Sequence, residues 1–275
     1  MSLRKRSRNQ LLKLKPTLDQ WVDRMEKPEY IDSDPIQFLH AFQDADDINV
    51  AGFFTATMAW GKRSIVISKV NDFLSRLSYK PVEFIGNFTE QDFEHLRGFK
   101  HRTFNDEDMY WLVKTMQSIL HQYGNFESFW LACYEQAKSE TRPLMGVFHE
   151  KFFSFYPEIP NRTRRHISNP EKGGSCKRLY MYLRWTLRDG PVDVKSMSFM
   201  DPSEIYIPLD VHVARQSRKL GLITRNQNDW KAVLELQKEL VFLDPSDPSK
   251  YDYALFGLGL NPDWLDPKWI LNKVV

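Results

Sequence analysis

Lys177 and Asp210, in the C-terminal half of the chain, are two ionisable residues whose side chains could take part in catalysis. Each opens a predicted helix: Lys177 follows the small-residue turn at residues 173–176, and Asp210 follows Pro208. A neutral amine is a nucleophile that can form a Schiff base, and a carboxylate stabilises a neighbouring positive charge or activates a nucleophile. An amine and a carboxylate of these types can carry out covalent catalysis where a fold places them side by side.

Each residue also has an ordinary structural interpretation. An aspartate before an apolar helix commonly caps that helix, which contributes about 1 kcal/mol. A lysine after a glycine turn is commonly a solvated helix residue. The two residues lie 33 positions apart, so catalysis requires that the fold bring them together.

The turn before Lys177 and the charges around it predict contacts with phosphate. A small-residue turn at a helix start exposes backbone N–H groups and the positive end of the helix dipole. Residues 162–188 contain six Arg and two Lys against one Glu, interleaved with aromatic residues, a mixture typical of a nucleic-acid backbone site. The predicted contacts in this region are Gly173, Gly174, Ser175, Arg178 and Arg184.

Two other basic segments are less specific. The cluster at residues 4–15 is interpreted as a solvated face. Residues 99–104 read Phe-Lys-His-Arg-Thr-Phe, and this mixture of cations and aromatic rings fits either a phosphate contact or packing between lobes.

The composition indicates a packed globular protein. Hydrophobic residues make up 42% of the 275 residues and aromatic residues 14%, and no apolar run approaches the roughly 18–20 residues of a membrane span. The basic N-terminus lacks the apolar core of a secretory signal, so we expect a cytoplasmic protein. Cys133 and Cys176 cannot form a four-cysteine metal site, and we predict reduced thiols, no metal and no cofactor.

Apolar residues recur at helical spacing along most of the chain, which predicts an all-α fold in a single unit over residues 1–275. We expect two helical lobes with a cleft between them. The predicted helices begin at cap-type residues or follow Pro or Gly. They span residues 50–60, 65–77, 105–123, 125–137, 144–155, 175–187, 211–220, 229–243 and 251–260.

The segment that contains Asp210 carries a recognisable motif. Residues 209–221 read Leu-Asp-Val-His-Val-Ala-Arg-Gln-Ser-Arg-Lys-Leu-Gly, and residues 254–259 read Ala-Leu-Phe-Gly-Leu-Gly. They resemble two motifs of the helix–hairpin–helix DNA glycosylase superfamily, Val/Leu-Asp-Thr-His-Val-x-Arg-x-x-x-Arg-Leu-Gly and Ala-Leu-Met-Asp-Leu-Gly. Arg218 stands one position early. That superfamily includes endonuclease III, the adenine glycosylase acting on mispairs and the 8-oxoguanine glycosylases.

The hairpin itself departs from the family pattern Pro-Gly-Val-Gly-x-Lys. Gly173 and Lys177 keep its spacing, but Ser175 replaces the second glycine and no proline precedes the first. The gap to Asp210 is longer than in endonuclease III-like members and is similar to that of the archaeal 8-oxoguanine glycosylases, the branch that this chain resembles most. Residues 34–40, 177–188 and 208–259 also resemble a bacterial family related to these enzymes.

The resemblance implies a base-excision repair glycosylase with lyase activity that removes an oxidised purine, such as 8-oxoguanine, from double-stranded DNA. Lys177 would attack the sugar C1′, expel the base and leave a Schiff base that permits strand cleavage. His212, Arg215 and Lys219 would contact the DNA. The base would leave the stack for a pocket. Candidates for this pocket are Trp60, Met181, Trp185 and Trp264.

Three alternatives remain open at this point. The same fold could bind damaged DNA without catalysis, with Lys177 as a phosphate contact. A glycosylase without a lyase step could use Asp210 to activate water. A helical protein with no nucleic-acid role would show no salt-dependent affinity for DNA. In each case we expect a monomer with no membrane segment and no obligate protein partner.

Overall fold

The computed structural model describes residues 3–274, and these are mostly helical, as predicted. The two short strands β1 (Lys100–His101) and β2 (Phe104–Asn105) pair antiparallel, with His101 opposite Phe104. The α-helices are α1 (Arg8–Met25), α2 (Gln37–His40), α3 (Ala45–Met58), α4 (Arg63–Arg76), α5 (Pro81–Gly86), α6 (Phe93–Leu96), α7 (Asp106–Tyr123), α8 (Phe126–Glu140), α9 (Leu144–Ser154), α10 (Asn161–Arg164), α11 (Lys177–Leu187), α12 (Val211–Lys219), α13 (Trp230–Leu243) and α14 (Tyr251–Leu260). Short 3₁₀ helices lie at Pro28–Ser33, Glu90–Asp92, Pro170–Lys172, Pro202–Glu204, Pro248–Lys250, Pro262–Trp264 and Pro267–Trp269.

The predicted cap residues set several of the helix starts. The side-chain oxygens of Asn105, Asn125 and Asp229 each accept a hydrogen bond from a backbone N–H in the first turn of α7, α8 and α13, at 3.1, 2.8 and 3.1 Å. Such caps satisfy N–H groups that have no partner within the helix. At the end of α7, Gly124 adopts a φ of +83°, a conformation that favours glycine. Local side-chain chemistry therefore determines these boundaries.

Helix α1 was not predicted, although most basic side chains of the cluster at residues 4–15 are exposed, as expected. It begins at a capping box formed by Ser7 and Gln10. Its apolar residues repeat at helical spacing and are buried. They are Leu11, Leu14, Leu18, Trp21, Val22 and Met25. The basic residues on its other side are partly engaged: Arg8 pairs with Glu239 at 2.7 Å.

The core consists of two clusters of buried hydrophobic side chains. The first surrounds α3, which is apolar on nearly every side and packs against α2, α4, α5, α8 and α11. Aromatic contacts are dense there; the ring centroids of Trp130 and Phe148 lie 4.1 Å apart. The second cluster is formed by α1, α12, α13 and α14. A Cβ on Gly257 would lie 2.3 Å from Met25 Cγ, so α1 and α14 cross closely at this glycine. No helix within residues 3–274 is long and apolar enough to cross a membrane.

Candidate functional site

Lys177 and Asp210 lie side by side where the two hydrophobic clusters meet. Lys177 is the first residue of α11, whose buried side chains belong to the first cluster, and Asp210 caps α12, whose buried side chains belong to the second. Lys177 Nζ is 3.6 Å from Asp210 Oδ2. The lysine side chain keeps 34% of its surface exposed and the aspartate 10%. An amine and a carboxylate are thus paired at a position that solvent reaches.

The two oxygens of Asp210 have different partners. Oδ1 accepts the backbone N–H of Val213 at 2.7 Å, which caps α12, while Oδ2 faces Lys177. The structural and the catalytic interpretations of this aspartate are therefore compatible. The cap fixes the orientation of the carboxylate and leaves one oxygen directed at the amine.

The small-residue turn that precedes Lys177 is tightly packed. A Cβ on Gly174 would lie 2.1 Å from Ser168 Oγ and 3.0 Å from the carbonyl oxygen of Asn169, and Gly173 has a φ of +85°. The Gly173 carbonyl accepts the backbone N–H of Trp230 at 3.1 Å, which ties the turn to α13. A side chain at Gly174 would collide with this neighbouring segment, and the positive φ at Gly173 favours glycine, so the two glycines shape the approach to Lys177.

A second carboxylic acid, Asp252, lies in the same neighbourhood and was missed by the sequence analysis. It is 8% exposed on α14 and pairs with the Arg184 guanidinium. Burial is the main influence on Asp252 and raises its pKa to about 7, although the positive charge of Arg184 lowers it. The negative charge of Asp210 also raises this pKa, and the positive charge of Lys177 lowers it. An acidic residue within the apolar run of residues 251–260 was the signal that could have identified it.

Arg184 lies inside the protein rather than on a DNA-binding face. It is 6% exposed and contacts Asp252 as well as Asp193, whose Oδ1 is 3.4 Å from Arg184 Nε. Asp193 is held in turn by Arg188 at 2.9 Å and by the hydroxyl of Tyr253, which donates a hydrogen bond at 2.9 Å. The structure therefore gives Arg184 an internal role, because a buried guanidinium with two carboxylate partners does not reach a phosphate.

The three predicted DNA contacts on α12 lie in different environments. Lys219 and Arg215 are half-buried. The His212 ring packs edge-on against Phe256, with the ring centroids 5.8 Å apart. A Cβ on Gly259 would lie 2.6 Å from His212 Cβ, so His212 sits at the close crossing of α12 and α14. His212 is thus engaged in helix packing in this structure.

The four candidate residues for a base pocket do not form a single pocket. Trp185 is 2% exposed and belongs to the first hydrophobic cluster, so it is a core residue. Met181 is half-buried one helical turn after Lys177, on the same face of α11. Trp60 packs edge-on against His101 at 4.6 Å, whereas Trp264 lies beneath the guanidinium of Arg24 at 5.5 Å. Met181 is the candidate that the fold brings towards the lysine.

Comparison with known families assigns the chain to a family. A family profile described as "Protein of unknown function (DUF2400)" matches residues 34–261. This match covers most of the chain, and the protein therefore belongs to that family. No curated protein and no solved structure matches it.

Proposed function

We propose that this protein is a DNA glycosylase with lyase activity that removes an oxidised purine from duplex DNA, with Lys177 as the nucleophile. The observation that carries the proposal is the distance of 3.6 Å between Lys177 Nζ and Asp210 Oδ2. These residues lie 33 positions apart, on helices anchored in different clusters. We further propose that the two clusters correspond to the two lobes of a helix–hairpin–helix glycosylase, with the substrate bound between them.

In the proposed reaction, Lys177 Nζ first gives up a proton to solvent, and Oδ2 of the Asp210 carboxylate faces the resulting amine. Attack on C1′ then forms the Nζ–C1′ bond and breaks the bond from C1′ to the base, which leaves with the bonding electrons and takes up a proton. The Asp210 carboxylate stabilises the positive charge that develops on the sugar. Ring opening gives the Schiff base, and loss of a proton from C2′ expels the 3′ phosphate.

Asp252 supports this arrangement electrostatically. Burial raises the pKa of Asp252 to about 7, which favours its neutral form over the pH range below that value. The neutral form of Asp252 places no second negative charge beside the Asp210 carboxylate. Two carboxylic acids in one site with different protonation states are a common catalytic arrangement.

Borohydride trapping tests the proposal on duplex DNA that carries a single 8-oxoguanine. We expect the native chain to form a covalent adduct, Lys177→Ala to form none, and Asp210→Asn to form much less. Lys172→Ala serves as the matched control, because Lys172 is an exposed lysine in the preceding turn and its removal should leave the adduct unchanged.

The outcomes separate the alternatives. Base release without an adduct, sensitive to Asp210→Asn but not to Lys177→Ala, would indicate a glycosylase that activates water. Tight, salt-dependent binding with neither adduct nor base release, for 8-oxoguanine and for other oxidised or alkylated bases, would indicate a binding protein. Either result would overturn the role proposed for Lys177.

A further inference from the structure

A concave basic pocket lies beside the start of α11, and the proposed reaction does not use it. Its volume is about 760 Å³, and no carboxylate lines it. Trp60 and Phe104 form part of its wall. Five cationic side chains line it: Lys100, Arg102, Arg162, Arg165 and Arg178. We call this feature the Arg102 pocket.

Three separate segments of the chain bring these cations together. Lys100 and Arg102 belong to the hairpin of β1 and β2, where Arg102 adopts a φ of +56° in the turn. Arg162 lies in α10, and Arg165 directly follows that helix. Arg178 lies in the first turn of α11. Because distant segments converge with one sign of charge, the cluster is not simply the solvated face of one helix.

The charges of most of these side chains are not compensated by the protein. Arg162 pairs with Asp108 at 3.1 Å. Arg178 is held by carbonyl oxygens, those of Thr57 and His166, and by the face of Trp60, whose ring centroid lies 4.8 Å from its Cζ. Burial lowers the pKa of Arg178 to about 10. Within residues 3–274, the other three cations form no ion pair.

Like charges that face one another across a concave surface repel, and low-dielectric walls strengthen the field between them. An anion placed among them removes this repulsion. Guanidinium groups match a phosphate particularly well, because their N–H donors form paired hydrogen bonds with its oxygens. The chemistry of the lining therefore suits a phosphate group.

We propose that the Arg102 pocket is a phosphate-binding site that is separate from the Lys177 amine and takes phosphate groups of a DNA strand. The choice of DNA rests on the proposed function, since Arg178 of the pocket directly follows Lys177 in α11. A free phosphorylated molecule would use the same chemistry, and the experiment distinguishes the two sources.

The test measures the affinity of the full chain for an undamaged duplex as a function of salt, so that it does not depend on base removal. Arg102→Ala/Arg165→Ala removes two exposed cations from the pocket. Lys231→Ala/Lys238→Ala removes the same charge from the exposed face of α13 and is the matched control. Calorimetric titration with inorganic pyrophosphate at low salt is done on the same three proteins.

If DNA phosphates occupy the pocket, the slope of log affinity against log salt falls by about 2 in the pocket variant, one unit for each lost contact. It stays unchanged in the control. If the pocket variant loses pyrophosphate binding but keeps the same salt slope for DNA, the pocket is a phosphate site whose ligand is not DNA. If the pocket and control variants behave alike with both ligands, the whole inference is overturned. Failure of Lys177 trapping would not affect these measurements.

Discussion

Asp210 joins the start of one helix to the amine at the start of another. Its Oδ1 accepts the Val213 N–H at 2.7 Å, and its Oδ2 lies 3.6 Å from Lys177 Nζ. The two roles of this carboxylate can therefore be separated by mutation, because asparagine also caps helices but carries no charge.

We expect Asp210→Asn to leave the free energy of unfolding nearly unchanged and Asp210→Ala to lower it by about 1 kcal/mol, through loss of the cap. Both variants should lose most of the adduct formed with 8-oxoguanine DNA. Urea denaturation and borohydride trapping measure the two effects. A strong adduct in the asparagine variant would show that the charge of Asp210 is not required.

Asp252 should make stability depend on pH in a defined interval. Its pKa is raised from 3.8 to about 7 in the folded protein. Below pH 4 the carboxyl is protonated in both states and contributes nothing. Between pH 4 and 7 the unfolded chain loses this proton while the folded chain keeps it, so the contribution of Asp252 becomes more destabilising as the pH rises and is constant above 7.

The asparagine variant isolates this contribution, because the other ionisable groups cancel in the comparison. We expect the native chain to lose roughly 2–4 kcal/mol relative to Asp252→Asn between pH 4 and pH 8. Urea denaturation at several pH values measures the difference. A difference that does not vary with pH would contradict the raised pKa.

Gly174 should tolerate no side chain. In Gly174→Ala the Ser168 hydroxyl can rotate away, but the Asn169 carbonyl, 3.0 Å from the added Cβ, is fixed by its hydrogen bond from Gly174 N–H. We expect a loss of about 1–3 kcal/mol from this overpacking, together with weaker trapping by the displaced Lys177. Gly86→Ala is the control, since a Cβ at Gly86 meets nothing within 4 Å. Equal thermal stability of the two variants would refute the packing argument.

Arg184 should be important for stability. Arg184→Ala leaves Asp252 buried without a cation and leaves Asp193 with Arg188 alone, and removing one partner of a buried pair costs up to about 3–5 kcal/mol. The control is Arg97→Ala, because Arg97 and its partner Glu94 are both largely exposed. This variant should lower the free energy of unfolding by less than about 1 kcal/mol. Urea denaturation compares them, and a small loss in Arg184→Ala would mean that these acids find other partners.

Much of the secondary structure could be read from local sequence. The helices that start after Asn105, Asn125 and Asp229 were predicted within a residue of their observed starts, because a cap is a contact between residues three positions apart. Helix α1 was missed, although its apolar residues are correctly spaced. Pro16 lies within this helix, and the face that it buries is covered by α14, which comes more than 200 residues later.

The sequence by itself determined that the chain is helical and that Lys177 and Asp210 each stand at a helix start. Only the tertiary structure decided what surrounds them. Lys177, Met181 and Trp185 follow one another at helical spacing, yet Trp185 is buried while Lys177 reaches solvent. Periodicity specifies which residues share a face of a helix, but how deeply that face is buried depends on elements distant in the chain. For the same reason, Asp252 and the cations of the Arg102 pocket became recognisable as neighbours only in the folded protein.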